Sequence, residues 1–227
     1  MEVKLILTDD GSHSLYREDL KEGYHSHHGA VQESRHVFIK HGFTAWAENN
    51  PGREPAILEL GLGTGLNALL TWEAALAHGN RVRYSGVEAH PVPEEIWSQL
   101  NYPQFTTNLP EAAHALAEIH RTPWDEGYFT LGSLFQLEKR KSKIEATTLT
   151  EGFFDLVYFD AFAPNKQGEL WEPAVLEKMA SLLRTGGFLT TYCAKGQFKR
   201  DLKAAGFTVE TLPGAPGKAE MVRGVRQ

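Results

Sequence analysis

Three carboxylates and three glycines carry the chemistry that can be read from this chain. Glu59-Leu60-Gly61-Leu62-Gly63-Thr64-Gly65 joins a short apolar run, Ala56 to Leu60, to a helix-patterned stretch from Leu66 to His78. Glycines at such a junction permit a tight turn and let a ligand approach the backbone, with the amides of a helix N-terminus facing it. Glu88 ends the next apolar run, Tyr84 to Glu88, 23 residues beyond Gly65. An acid in that place takes two ribose hydroxyls. Asp160 opens Asp160-Ala161-Phe162-Ala163-Pro164 at the carboxyl end of a third apolar run, Phe154 to Asp160. A carboxylate there orients an amine and accepts its proton; the bland alternative is a turn cap.

These residues need a scaffold that brings strand ends together. From residue 55 onward short apolar runs alternate with helical stretches, the pattern of an α/β fold with a parallel sheet. Helices are expected over Glu94–Leu100, Glu172–Arg184 (stopped by Gly186-Gly187) and Phe198–Ala205. Strands are expected over Phe188–Tyr192, Phe207–Leu212 and Glu220–Val225, with β character from Tyr128 to Glu138 that Ile144–Leu149 continues or pairs with. About seven residues separate the last two strands, too few for a parallel crossover, so they form an antiparallel hairpin. A doubly wound sheet closed by such a hairpin is the arrangement of class I methyltransferases, whereas dinucleotide-binding sheets are normally all parallel. The glycine loop and Glu88 suit either S-adenosylmethionine or NAD; the hairpin and Asp160 favour the former. Residues 1–54 form an N-terminal extension, a hairpin turning at Asp9–Ser12 and a helix from Ala30 to Asn49, ahead of a main domain over 55–227.

Composition sets the limits. The chain has 227 residues, 41% of them hydrophobic, with a formal charge of −6 and one cysteine, Cys193. That is ordinary globular composition. It leaves no internal disulfide or CxxC metal site, no run long enough to span a membrane and no signal-peptide pattern over Met1–Asp10. A cytoplasmic protein is expected. The charge is uneven: residues 1–135 hold 9 Lys+Arg against 18 Asp+Glu (−9), and residues 136–227 hold 14 against 11 (+3). Lys139, Arg140, Lys141 and Lys143, with Lys195, Lys199, Arg200 and Lys203, are candidate phosphate contacts if they share a face; otherwise they are a solvated surface. Trp124 and Trp171 are the candidates for stacking on RNA, and core packing is the commoner fate of such residues. His25, His27 and His28 lack the partners of a metal site, so no metal is expected; the loop that carries them is expected to touch cofactor or substrate.

Tyr24-His25-Ser26, Gly29-Ala30, Glu33-Ser34, His36-Val37-Phe38, Glu59 to Asn67, Asp160 to Pro164, Glu169-Leu170-Trp171 and Pro216-Gly217-Lys218-Ala219-Glu220-Met221 resemble the methyltransferase domain of the bacterial MnmC family, over nearly the whole chain. The resemblance implies a class I, Rossmann-like fold. It also implies methyl transfer from S-adenosylmethionine to the aminomethyl nitrogen of a tRNA wobble uridine. It implies that Tyr24, Glu59, Gly61, Gly63, Gly65 and Asn67 serve the cofactor, Glu88 its ribose, and that Asp160 faces the amine. Bifunctional members carry a further FAD-dependent oxidase domain, for which Gln227 leaves no room, so the stand-alone form is expected, without FAD. Class I enzymes often bind the adenine amine with Asp or Asn after the third strand; here that stretch offers Lys143 and Glu145. The rivals are a methyltransferase for a small-molecule or protein amine, a non-catalytic S-adenosylmethionine module and a dehydrogenase.

Overall fold

The computed structural model describes residues 3–227; Met1 and Glu2, the start of the segment read above for a signal peptide, lie outside the described residues. Eleven strands form two sheets among them. The small one joins β1 (Val3–Leu7), β2 (His13–Arg17) and β3 (Glu22–Gly23), all antiparallel. The large one contains β4 (Ala56–Leu60), β5 (Val82–Val87), β6 (Phe129–Leu131), β7 (Phe135–Arg140), β8 (Phe154–Phe159), β9 (Leu183–Thr191), β10 (Phe207–Pro213) and β11 (Glu220–Arg226). Their order across the sheet is β10-β11-β9-β8-β4-β5-β7-β6. Neighbours from β9 to β7 are parallel. β11 runs antiparallel to both β9 and β10, so the expected C-terminal hairpin closes one edge.

Strands buried on both faces alternate between two cores. On β4 and β8, Ile57, Leu156 and Tyr158 point to one face, and Leu58, Val157 and Phe159 to the other. Covering the first face are α1 (Ala30–Ser34), which continues through a π-wound stretch (Arg35–Thr44) into α2 (Ala45–Asn49), together with α3 (Leu66–His78) and α5 (Ala112–Arg121). The second face receives α6 (Pro173–Leu182) and α7 (Gly196–Ala204). The helical segment of the N-terminal 54 residues therefore shares the main core: Val37, Phe38 and Phe43 pack with Tyr158. None of the helices in the described residues is long and apolar enough to cross a membrane.

Four sequence expectations change in detail. The helix that was to reach Leu100 is α4 (Glu94–Trp97), followed by turns. Tyr128–Glu138 splits into the antiparallel pair β6–β7. Ile144–Leu149 is not a strand but a single tight turn (Ile144–Ala146), because the Lys178 ammonium gathers the carbonyls of Ile144 (2.6 Å) and Thr147 (2.7 Å). Gly186-Gly187 do not stop α6, which ends at Leu182; they lie within β9, where the pairing with β8 shifts register. Gly186 has φ +79°, and a Cβ on Gly187 would meet the Asp155 carbonyl at 2.9 Å. The pair makes a bulge.

Candidate active site

The carboxyl ends of β4, β5 and β8 open into one cleft of about 1000 Å³, where ligands bind in open α/β sheets. Glu59, Gly61, Gly63, Asn67, Glu88, Tyr24 and Asp160 all line it. At one end Glu88 accepts hydrogen bonds from the backbone amides of Gly63 (3.0 Å) and His90 (2.8 Å). These fix the carboxylate while each oxygen keeps a lone pair for a diol. Ser142, Lys143, Ile144 and Glu145 form the adjacent wall, held by Lys178 from below.

The middle of the cleft is an acidic junction. Asn67, in the first turn of α3, donates both amide hydrogens, to Glu59 (2.9 Å) and to Asp160 (2.8 Å). Asn67 Oδ1 and Glu59 Oε2 remain buried without a partner. An unpartnered amide oxygen and an unpartnered carboxyl oxygen in one place suit a ligand that donates hydrogen bonds. Burial, reinforced by Asp160, pushes Glu59 well above the usual carboxylate range. Burial and then Glu33 push Asp160 up to about 7, against the opposing pull of Asn67 and Lys218.

Backbone geometry explains two of the glycines. Gly61 has φ +90°, and a Cβ there would fall 2.6 Å from the Asp160 carbonyl oxygen, so the β4 and β8 exits touch only because it has no side chain. Gly63, φ +48°, lies under the Tyr24 ring, which meets Phe162 edge-on at 5.0 Å. Gly65 corrects the expectation. It does not line the cleft; it packs on Ile119 and His120 at the start of α3. His120 is stacked on Trp97 and donates to the Thr64 carbonyl (3.0 Å), so Gly65 serves the loop's shape rather than a ligand.

Two RNA candidates are also corrected. Lys139 is fully buried, its ammonium donating to the His120 carbonyl (2.7 Å) and lying over Trp124 at 4.3 Å. Its place on β7, between β5 and β6, points it into the core, beyond reach of phosphate. Trp171 is buried against Phe159 and Phe198, and its indole donates to the Phe162 carbonyl (2.8 Å). It braces the Asp160–Pro164 loop instead of offering a stacking face. Lys141, Lys143, Lys195, Arg200 and Lys203 are exposed; Arg140 pairs with Glu138, and Lys199 with Glu220. His27 and His28 lie against Asp9, whereas His25 lines the cleft, bonded to Ser14 (3.0 Å) and kept neutral by burial.

Residues that received no role from sequence stand near Asp160. Glu33, Lys218 and Tyr192 gather beside Asp160. Glu33 and Lys218 stand in segments noted for their resemblance, but nothing local to either announces the other.

A mixed sheet with β11 antiparallel inside it, and a glycine loop, ribose-type acid and carboxylate at three strand ends, define a class I methyltransferase. The profile of the S-adenosyl-L-methionine-dependent methyltransferase family matches residues 104–227, and the chain belongs to that family. Among relatives, the tRNA 5-methylaminomethyl-2-thiouridine biosynthesis bifunctional protein MnmC of Cupriavidus metallidurans is 33% identical over 95% of this chain and 33% of its own length. Its counterpart from Aromatoleum aromaticum is 34% identical over 98% of this chain and 35% of its own length. The chain thus spans about a third of the length of these curated relatives. The crystal structure of MNMC2 from Aquifex aeolicus shares the fold with a TM-score of 0.78 at 22% identity, covering 99% of this chain and 70% of that one.

Proposed function

We propose that the protein methylates the aminomethyl nitrogen of 5-aminomethyl-(2-thio)uridine at the tRNA wobble position, giving 5-methylaminomethyl-(2-thio)uridine. The observation that carries this reading is Asp160, a carboxyl pushed up to about 7 in the acidic middle of a cleft whose one end suits an adenosine. The relatives named above for tRNA 5-methylaminomethyl-2-thiouridine biosynthesis supply the substrate class.

S-adenosylmethionine supplies, when bound, a methyl group on an already activated sulfonium. Glu88 would hold the ribose hydroxyls. Glu59 Oε2 and Asn67 Oδ1 would receive the donor's ammonium, and that positive charge would draw the proton off Glu59. The remaining work is alignment and removal of one proton from the substrate. Asp160 receives the substrate as an ammonium, orients it and takes the proton, leaving the nitrogen lone pair free; the proton then passes to solvent. A group pushed to about 7 matches that task, because a base works best with its pKa close to the operating pH. Tyr24 and Phe162, packed edge to face, would form an apolar wall beside a flat base. The exposed Lys195, Arg200 and Lys203 on and beside α7, with Lys141 and Lys143, would hold tRNA phosphates. The reaction needs neither metal nor flavin, and it takes place in the cytoplasm.

The test offers tRNA carrying 5-aminomethyl uridine, and separately the 5-carboxymethylaminomethyl form, with S-adenosylmethionine, and reads nucleosides by mass spectrometry. One added methyl on the wobble uridine of the first alone is expected, since a second carboxylate beside Asp160 is repelled. Equal incorporation into both would defeat the primary-amine mechanism. Incorporation into neither would favour a small-molecule or protein amine.

A further inference from the structure

Glu33 and Lys218 meet beside Asp160 although 185 residues separate them. Glu33 lies on α1 with 4% exposure. One of its carboxylate oxygens accepts from the Ser26 amide at 3.1 Å, and the other pairs with the Lys218 ammonium. Lys218 sits in the loop between β10 and β11, its ammonium 4.0 Å from the centre of the Tyr192 ring. The Tyr192 hydroxyl in turn donates to the carbonyl of Ala161 (2.7 Å), the residue after Asp160.

This lysine is not a loose surface side chain. Its loop is closed by Lys218 N to Ala215 O (2.8 Å) and Gly214 N to Ala219 O (3.1 Å). Gly217, φ +81°, lies so close to the His28 ring that a Cβ would come within 1.9 Å of it. The hairpin loop is therefore seated on the 24–30 segment, and the ammonium is held on three sides by a carboxylate, an aromatic face and the loop itself. Without it, the buried Glu33 carboxylate would keep only the Ser26 amide as a partner.

We propose that Glu33 and Lys218 are positioning residues for Asp160: the ammonium, seated on the Tyr192 ring whose hydroxyl holds the Ala161 carbonyl, cancels the buried Glu33 carboxylate and leaves Asp160 free to receive the incoming amine. The proposal rests on the reading of Asp160 as the residue that faces the amine. The groups that act on Asp160 come from every element around it. Glu59 and Asn67 lie below it on β4 and α3, Glu33 on α1, Lys218 in the hairpin loop, and Tyr84, Tyr102 and Tyr192 are its phenolic neighbours. Of the nearest charges, Glu33 raises the Asp160 pKa and Lys218 lowers it.

The two members of the pair therefore have opposite signatures. Lys218→Met bares the Glu33 carboxylate and moves Asp160 ionisation to higher pH; Glu33→Gln leaves the ammonium unbalanced and moves it lower. Each shift is expected to be roughly one pH unit. The double variant returns close to the parent, and Lys218→Arg keeps the parent value. The measurement is carbon-13-edited carboxyl titration of Asp160 in the protein without substrate, beside the acid limb of methyl transfer and thermal melts. A purely structural pair would lower melting temperature or rate at every pH and leave the titration in place. Shifts of the same sign in both single variants, or none, overturn the proposal. If the titrations move in opposite directions while no tRNA is methylated, the pairing stands and the tRNA reading falls; methylation with unmoved titrations does the reverse.

Discussion

The two ends of the cleft are assembled differently. The donor end is built mainly from one βαβ unit, the loop after β4, the first turn of α3 and the exit of β5 within residues 59–90, with one wall added by residues 142–145. The amine end takes Tyr24 and Glu33 from the N-terminal region, Asp160 and Phe162 from the β8 exit, Tyr192 from beyond β9 and Lys218 from the terminal hairpin. A local unit fixes backbone amides to within a hydrogen bond of a carboxylate, as at Gly63 and Glu88. A site drawn from four segments can instead gather opposed charges, which no single turn supplies. The donor end holds shape; the amine end holds charge.

The sharpest way to break that contrast is Asp160→Asn. The amide keeps size and polarity but cannot take a proton, so turnover should fall about 100-fold or more with S-adenosylmethionine affinity nearly unchanged. In the parent, turnover should rise with pH through about 7, where Asp160 ionises, and this limb should vanish in the variant. Stopped turnover assays with parallel calorimetry separate the two quantities. If both ends lost function together, the division would be wrong.

Glu88→Ala tests the other end. Hydrogen bonds to a charged group are worth about 1.5–3 kcal/mol each, so donor affinity should weaken about tenfold or more. The fold should persist, because Glu88 is only half-buried and its two protein bonds are to loop amides. Unchanged affinity by calorimetry would remove Glu88 from the ribose.

Much of the donor end was legible because its signals are contiguous. Gly61, Asn67 and Glu88 sit at fixed offsets from strands whose apolar runs are plain. Gly65 was misjudged because a glycine with φ +74° looks the same in sequence whether it faces a ligand or, as here, His120. The amine end was legible only at Asp160, which marks a strand end. The Glu33–Lys218 pair depends on where β11 inserts, and apolar periodicity does not record that. Lys139 shows the same limit in reverse. It belongs to a basic run in the sequence, yet Lys139 is enclosed and Lys141 is exposed, since β7 ends at Arg140 and the run outlasts it.

A smaller effect is expected from neutralising Lys141, Lys195, Arg200 and Lys203 together. tRNA affinity should fall several-fold. The slope of log affinity against log salt should flatten by about 0.7–0.9 for every phosphate left without its cation, with donor affinity unmoved. An unaltered slope in filter binding would mark these charges as solvated surface, leaving the amine end to hold tRNA by Asp160 and its neighbours alone.

Lys139→Met should not affect tRNA binding at all and should show only in stability. Burial lowers the Lys139 pKa to about 8, so the folded state releases this proton before the unfolded state does. Between about pH 8 and the ordinary lysine range the unfolded chain binds more protons, and the parent gains stability as pH rises. Urea unfolding across that window should show the gain in the parent and lose it in the variant. Reduced tRNA affinity without the stability change would return Lys139 to the surface.

The meeting of Glu33 with Lys218 also bears on how the molecule comes into being. A ribosome delivers Glu33 long before its partner, and Lys218 takes its place only when the β10–β11 hairpin docks through β11 on the edge of β9. Pairing across so much intervening chain is slow, and its loop-closure entropy is met before any contact repays it. Until that strand is seated, the nascent chain has a complete βαβ unit at residues 59–90 but no lysine beside the Glu33 carboxylate. The enzyme would thus acquire its donor pocket early in synthesis and its competence to handle an amine only in a late folding step.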